Sequence, residues 1–165
     1  MHIVILAAAA AALTASLASV AQAAPASVDV AVGPLLQAKG EKTYGVRDVR
    51  QLADELRADV QRQLTRTGAY DGAKVELVLS DAVPNRPTFK QLGDQPGLSY
   101  QSFGLGGARI DGRIVTADGR ETPVSYRYYE SDIRYARYDS TWSDADWTIS
   151  RFAYELARGK AVASR

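Results

Sequence analysis

The stretch that decides the fold is Ala108-Arg-Ile-Asp-Gly-Arg-Ile-Val-Thr116, then Ala117-Asp118-Gly119-Arg120, then Glu121-Thr-Pro-Val-Ser-Tyr-Arg-Tyr-Tyr-Glu130. Asp-Gly between two alternating runs is a strong short-range hairpin signal, because glycine accepts the positive φ that a tight turn requires. Two antiparallel strands are therefore expected over 108–116 and 121–130. In the second, Val124, Tyr126 and Tyr128 face helices, while Ser125, Arg127 and Tyr129 face outward.

Working outward, Lys74–Ser80 alternates through Val75, Leu77 and Leu79 and reads as another strand, as does Ser27–Val32 through Val28, Val30 and Val32. A long helix is expected from Val46 to Thr65. Val49, Leu52, Ala53, Leu56, Val60 and Leu64 step by three and four and form its buried stripe. Arg47, Arg50, Asp54, Arg57 and Asp59 fall on the opposite, solvated face, and Gly68 stands where a left-handed stop belongs.

A second helix is expected after Ser143, with Ser143 as N-cap, Asp146 near the capping-box position, and Trp142 and Trp147 as a hydrophobic staple. Ile149, Phe152, Ala153 and Leu156 continue its core stripe, and Gly159 closes it. Gln37–Thr43 reads as loop, and Leu98–Phe103 as an extra strand or part of a functional loop. The order strand, helix, three strands, helix predicts an α+β two-layer sandwich. Its sheet is mainly antiparallel, of about four strands, with two helices on one face.

Residues 3–24 carry no charged side chain, and Val20-Ala21-Gln22-Ala23 supplies a small-x-small pattern. Residues 1–23 are thus expected to be an export signal cut after Ala23, leaving residues 24–165 as a single domain in the periplasm or outside the cell, with no membrane span. The chain has 165 residues, no Cys, and one His, which is His2. The exported part then has neither imidazole nor thiol, which excludes the commonest nucleophilic and metal chemistries. The 20 Lys+Arg against 19 Asp+Glu are interleaved, so no basic face for nucleic acid is expected.

Three constellations invite a chemical reading. Phe103-Gly104-Leu105-Gly106-Gly107-Ala108 runs straight into a strand rather than a helix, so it reads as a bend of close backbone approach and not as a phosphate cradle. Asp139, Asp144 and Asp146 are too few for a calcium loop and read as helix-start acids. No metal and no cofactor is expected.

The tyrosine- and arginine-rich stretch 126–138 is the remaining one. Tyrosine gives flat amphipathic area and arginine a planar set of donors, so Arg127, Tyr129, Arg134, Tyr135, Arg137 and Tyr138 are the expected binding residues. The partner expected is another envelope protein or a cell-wall polymer. The Asp81–Phe103 segment is a second contact region. The alternatives are a glycan hydrolase built on a carboxylate pair, the common enzyme class that survives without His and Cys, and a self-associating structural protein.

The signal segment, the Arg/Asp/Glu-rich helix ending near Leu64, Val75–Asp81, the glycine turn Phe103–Ala108 and the Asp118-Gly119 hairpin together resemble a known group. They are similar to small exported bacterial envelope domains of unknown function, many of them lipoproteins. The resemblance covers most of Ser27–Leu156. It implies an α+β envelope domain with no established catalytic residues, and this chain departs from the lipoprotein members in lacking an acylated Cys.

Overall fold

The computed structural model describes residues 23–160. The export segment expected over residues 1–23 lies outside the described residues except for Ala23. Four strands, β1 (Ser27–Val32), β2 (Lys74–Val83), β3 (Gly107–Val115) and β4 (Glu121–Tyr129), form one sheet in the order β1-β2-β3-β4. β2, β3 and β4 are antiparallel neighbours, whereas β1 pairs parallel with β2. That parallel pair needs a crossover. It consists of α1 (Pro34–Lys39), a π-helical turn (Gly40–Tyr44) and α2 (Val46–Thr67). A short α3 (Phe89–Asp94) and a long α4 (Ser143–Leu156) complete an α+β fold.

The six residues read as the stripe of the first long helix are its buried residues, and Gly68 ends α2 in the left-handed conformation. Ile149, Phe152, Ala153 and Leu156 are likewise buried on α4. α2 and α4 pack on each other and on one face of the sheet, against Val75, Leu77, Leu79, Ile110, Ile114 and Val124. Each large side chain buried this way stabilises the fold by roughly 1.5–3 kcal/mol. β4 alternates as expected: Val124 is buried, Tyr126 packs on Phe152 and Tyr128 on Trp147.

Several expectations are corrected. Gln37–Thr43 is not loop, because Pro34 starts α1 at a favoured first-turn position and the helix runs on into the π turn, burying Leu36. Leu98–Phe103 forms no strand: its backbone N–H groups turn inward on their own segment, Leu98 to Gln95 and Ser102 to Ser99. Ser143 is not the N-cap of α4. Trp142 holds that position with no side-chain cap, and the Ser143 hydroxyl instead accepts from the Ser140 N–H at 2.7 Å. The two indoles form no staple, since Trp142 stands edge-on to Tyr44 at 5.6 Å while Trp147 packs on Tyr128 at 4.7 Å. The capping box belongs to α3, where Thr88 and Gln91 satisfy each other's backbone N–H groups.

Strict alternation along β2 would carry Asp81 into the core. A bulge between Leu79 and Asp81 prevents this: Leu79 pairs with Ile110, Asp81 with Arg109, and buried Ala82 resumes the core phase. Ser80 is the extra residue, so the bulge re-aims a carboxylate outward where a regular strand would bury it. Among the described residues, no helix is long and apolar enough to cross a membrane.

Candidate binding surfaces

The two irregular segments, 84–106 and 130–142, are joined around a buried carboxylate. Asp144, fully buried in the first turn of α4, accepts from Asn85 Nδ2 at 2.6 Å, from the Gly106 N–H at 3.3 Å and from Arg137 Nη1 at 3.1 Å. Asn85 is itself 1% exposed, and its Oδ1 accepts the Asp144 N–H at 2.8 Å. Its side-chain amide also donates to the Gly104 carbonyl, and its backbone N–H to that of Thr141. The Asn85 amide and both Asp144 carboxylate oxygens have partners, as burial at low dielectric demands.

The glycine run enters here. A Cβ on Gly106 would lie 2.7 Å from Asn85 Cγ, and one on Gly107, at φ +151, would meet the Tyr128 carbonyl. The expectation of a close-approach bend leading directly into a strand therefore matches the structure.

Above the hub stand exposed aromatic rings. Phe103 and Tyr138 pack at 4.9 Å between centroids, and Phe89 and Tyr100 meet edge to face at 6.1 Å. Arg86 ties the two pairs together, donating to the Tyr100 carbonyl at 2.6 Å and to that of Tyr138, with its guanidinium 5.7 Å from the Tyr138 ring. The outer surfaces stay open: Phe89 is 77% exposed, Tyr100 64% and Tyr138 48%.

The six residues expected to form one contact surface occupy four places. Tyr138 belongs to this aromatic group. Arg134 folds back onto Asp132 beside exposed Tyr135, its guanidinium 5.8 Å from that ring. Arg137 is held by Asp144 and lies 4.4 Å over Trp147, which makes it a strut of the hub. Arg127 and Tyr129 point to the other face of the sheet, as their strand alternation requires.

On that outward face, Asp111 accepts from Ser80 at 2.6 Å, Ser125 at 2.7 Å and Arg109 at 2.8 Å. Partial burial pushes its carboxyl upward, but these donors together outweigh that and hold it below the ordinary carboxylate value. Asp81, re-aimed by the bulge, pairs with Lys39 at 2.6 Å and accepts from the Tyr129 hydroxyl at 3.0 Å. Burial, then the Asp81 carboxylate, pushes the Tyr129 phenol far above its usual range. A hollow of about 590 Å³ opens beside them, bordered by Lys42, Arg109 and Arg127 and by Leu35 on α1.

A third feature is a cleft of about 380 Å³ between α2 and the start of α4, lined by Asp48, Glu55, Trp142 and Asp146. Burial, then the charge of Glu55, pushes Asp146 up to about 6. Asp146 Oδ1 is buried without a hydrogen-bond donor, a position that favours the neutral, protonated acid. Asp139 does not join the buried acids, and Asp144 is engaged by the hub. Among the described residues no cluster of three or more His, Cys, Asp or Glu side chains is arranged to hold a metal ion.

The fold and these surfaces define an α+β domain with a braced aromatic surface. Compared with known protein families and with curated proteins, the chain matches none.

Proposed function

We propose that this protein is an exported, non-enzymatic binding domain that engages another envelope component through the aromatic surface of segments 84–106 and 130–142. The observation that carries the reading is the bracing of exposed rings by a buried polar hub. Arg86 ties down the backbone at Tyr100 and Tyr138 and stands over the Tyr138 ring, on which Phe103 packs, and the segments beneath them are locked by Asn85 and Asp144. Rings fixed in advance lose little conformational freedom on binding, and large exposed aromatics beside arginine are the residue types that dominate interfaces. Exposed apolar patches rimmed by polar residues commonly mark interaction sites. The partner class is a protein or a cell-wall polymer of the envelope.

Photo-crosslinking from position 138 in cells, with position 118 in the β3–β4 turn as control, tests this reading together with co-sedimentation on isolated cell-wall sacculi. Site-specific adducts, or sedimentation lost in the triple variant Tyr100→Ser, Phe103→Ser, Tyr138→Ser with an unchanged melting temperature, are expected. Equal behaviour of wild type and the folded triple variant in both assays rejects the surface. Arg137 stays unchanged in this test, because its loss disturbs the hub rather than the surface.

A further inference from the structure

We infer that the hollow between α1, the π turn and the outward residues of β2–β4 is a second binding site, for an amphiphilic oxyanion: a phosphate or carboxylate head carried on a short apolar body. This goes beyond the aromatic surface and rests on different residues.

The register of β3 and β4 sets Arg109 directly opposite Arg127. Like charges in that relation repel, so a strand pair selected for stability alone would avoid it. Arg109 is neutralised by Asp111, and Lys39 by Asp81. The Arg127 and Lys42 side chains have no ion pair or hydrogen bond among the described residues. Four cations therefore meet two carboxylates, leaving a net charge of +2 at the hollow.

The same cations are hard to recruit for any internal purpose. Asp111 already accepts from three side chains, and Asp81 is shared between Lys39 and Tyr129. What the hollow lacks is an acceptor with two oxygens for the fork of Arg127 and negative charge for Lys42. A carboxylate or phosphate supplies both.

The apolar half of the ligand follows from α1. Leu36 enters the core, but the neighbouring Leu35 is 76% exposed at the rim of the hollow, with Ala38 one turn on. A short alkyl or aryl group seated on Leu35 removes that side chain from water while the head reaches the arginines.

The test titrates the purified protein with hexyl phosphate, hexanoate, inorganic phosphate and hexanol, followed by calorimetry and amide chemical shifts. Hexyl phosphate and hexanoate are the two head-group arms, and saturable binding of either, with shifts centred on β4 and the π turn, is the expected result. Arg127→Gln is expected to weaken it at least about tenfold, the loss of one charge-assisted contact. Lys42→Gln gives an independent decrease. Leu35→Ser weakens the hexyl ligands but leaves inorganic phosphate unchanged, and raised salt weakens every anion. Without ligand, Arg127→Gln is expected to melt no lower than wild type, since it removes a repulsion. Hexanol binding as tightly as hexyl phosphate, no saturable binding of either anion, or equal affinity in the folded Arg127→Gln and Lys42→Gln variants overturns the proposal. Each of these outcomes leaves the crosslinking result from position 138 untouched.

Discussion

Asn85 and Asp144, 59 positions apart, clasp each other twice: the amide of Asn85 donates to the Asp144 carboxylate at 2.6 Å, and its oxygen accepts the Asp144 backbone N–H at 2.8 Å. The double contact fixes the orientation of the amide and pins an irregular segment to the first turn of a helix. With Arg137 on the second carboxylate oxygen, a fully buried charge is paired and its lone pairs are filled. Polar contacts rather than apolar packing therefore set the geometry beneath the exposed aromatic rings.

Removing one partner of that hub should be costly, because it strands a group already stripped of water. Asp144→Ala is expected to destabilise the fold by about 3–5 kcal/mol, the usual loss when one half of a buried ion pair is deleted. Arg137→Ala should cost about 2–3 kcal/mol, less because Asn85 and the Gly106 N–H remain on Asp144. Tyr138→Ser, at an exposed ring, should stay within about 1 kcal/mol. Urea denaturation of the three variants checks the order. An Arg137→Ala midpoint equal to that of Tyr138→Ser contradicts the role assigned to Arg137.

Gly112 is expected to tolerate no side chain, for a reason unrelated to its backbone angles. It lies in β3 opposite Leu77 of β2 and Val124 of β4. A methyl group there would sit 2.9 Å from the Leu77 Cα and 2.9 Å from its Cδ2, and would run into the Glu76 carbonyl. Neither strand can retreat without breaking its ladder. Gly112→Ala should therefore cost about 3 kcal/mol or more, at the upper end for overpacking. At Gly119 nothing stands within 4 Å, and only φ +83 opposes a side chain, so Gly119→Ala should cost about 1 kcal/mol. Thermal melts of the two single variants measure the difference, and equal losses would show that crowding at Gly112 is not decisive.

The hairpin and both long helices were legible because their signals are local and repeated: Asp118-Gly119 between alternating runs, and apolar residues every three or four positions. α1 and α3 span fewer than two turns, too short for a period to show. Yet Thr88 and Gln91 carried a readable capping-box pattern. The bulge also left a trace in the change of phase from Leu79 to Ala82. The parallel pairing of β1 left none, because period-two alternation marks a strand but not its direction. At the surface, the tyrosine-rich run looked like one patch, since composition does not register that β4 ends at Tyr129 and alternation turns Arg127 and Tyr129 away from Tyr138. The burial of Asp144 was hidden for a similar reason. An acid in the first turn of a helix is explained by the helix dipole alone, and nothing local points to Asn85.

The acidic cleft predicts an unusual pH dependence. Asp146 faces Glu55 and Asp59 from α2, with Asp48 at the rim and only the Ser140 hydroxyl as a favourable side-chain donor. Burial first, then the Glu55 charge, raises its carboxyl from the ordinary 3.8 to about 6. Between those values the folded state holds a proton that the unfolded state has released, so folding takes up a proton and this group's stabilisation declines as pH rises. Its contribution is complete below pH 3.8 and gone above about 6, where an ionised Asp146 must sit beside Glu55. Asp146→Asn keeps the shape and removes the titration. Allowing for solvent screening at a partly exposed group, it should stabilise the protein by on the order of 1–2 kcal/mol at pH 7. At pH 3.5 the gain should vanish, since the acid is already neutral in both states. Urea midpoints of wild type and variant from pH 3.5 to 7.5 give the test: the two curves should part between pH 4 and 6, and a constant offset across the range contradicts a raised Asp146 carboxyl.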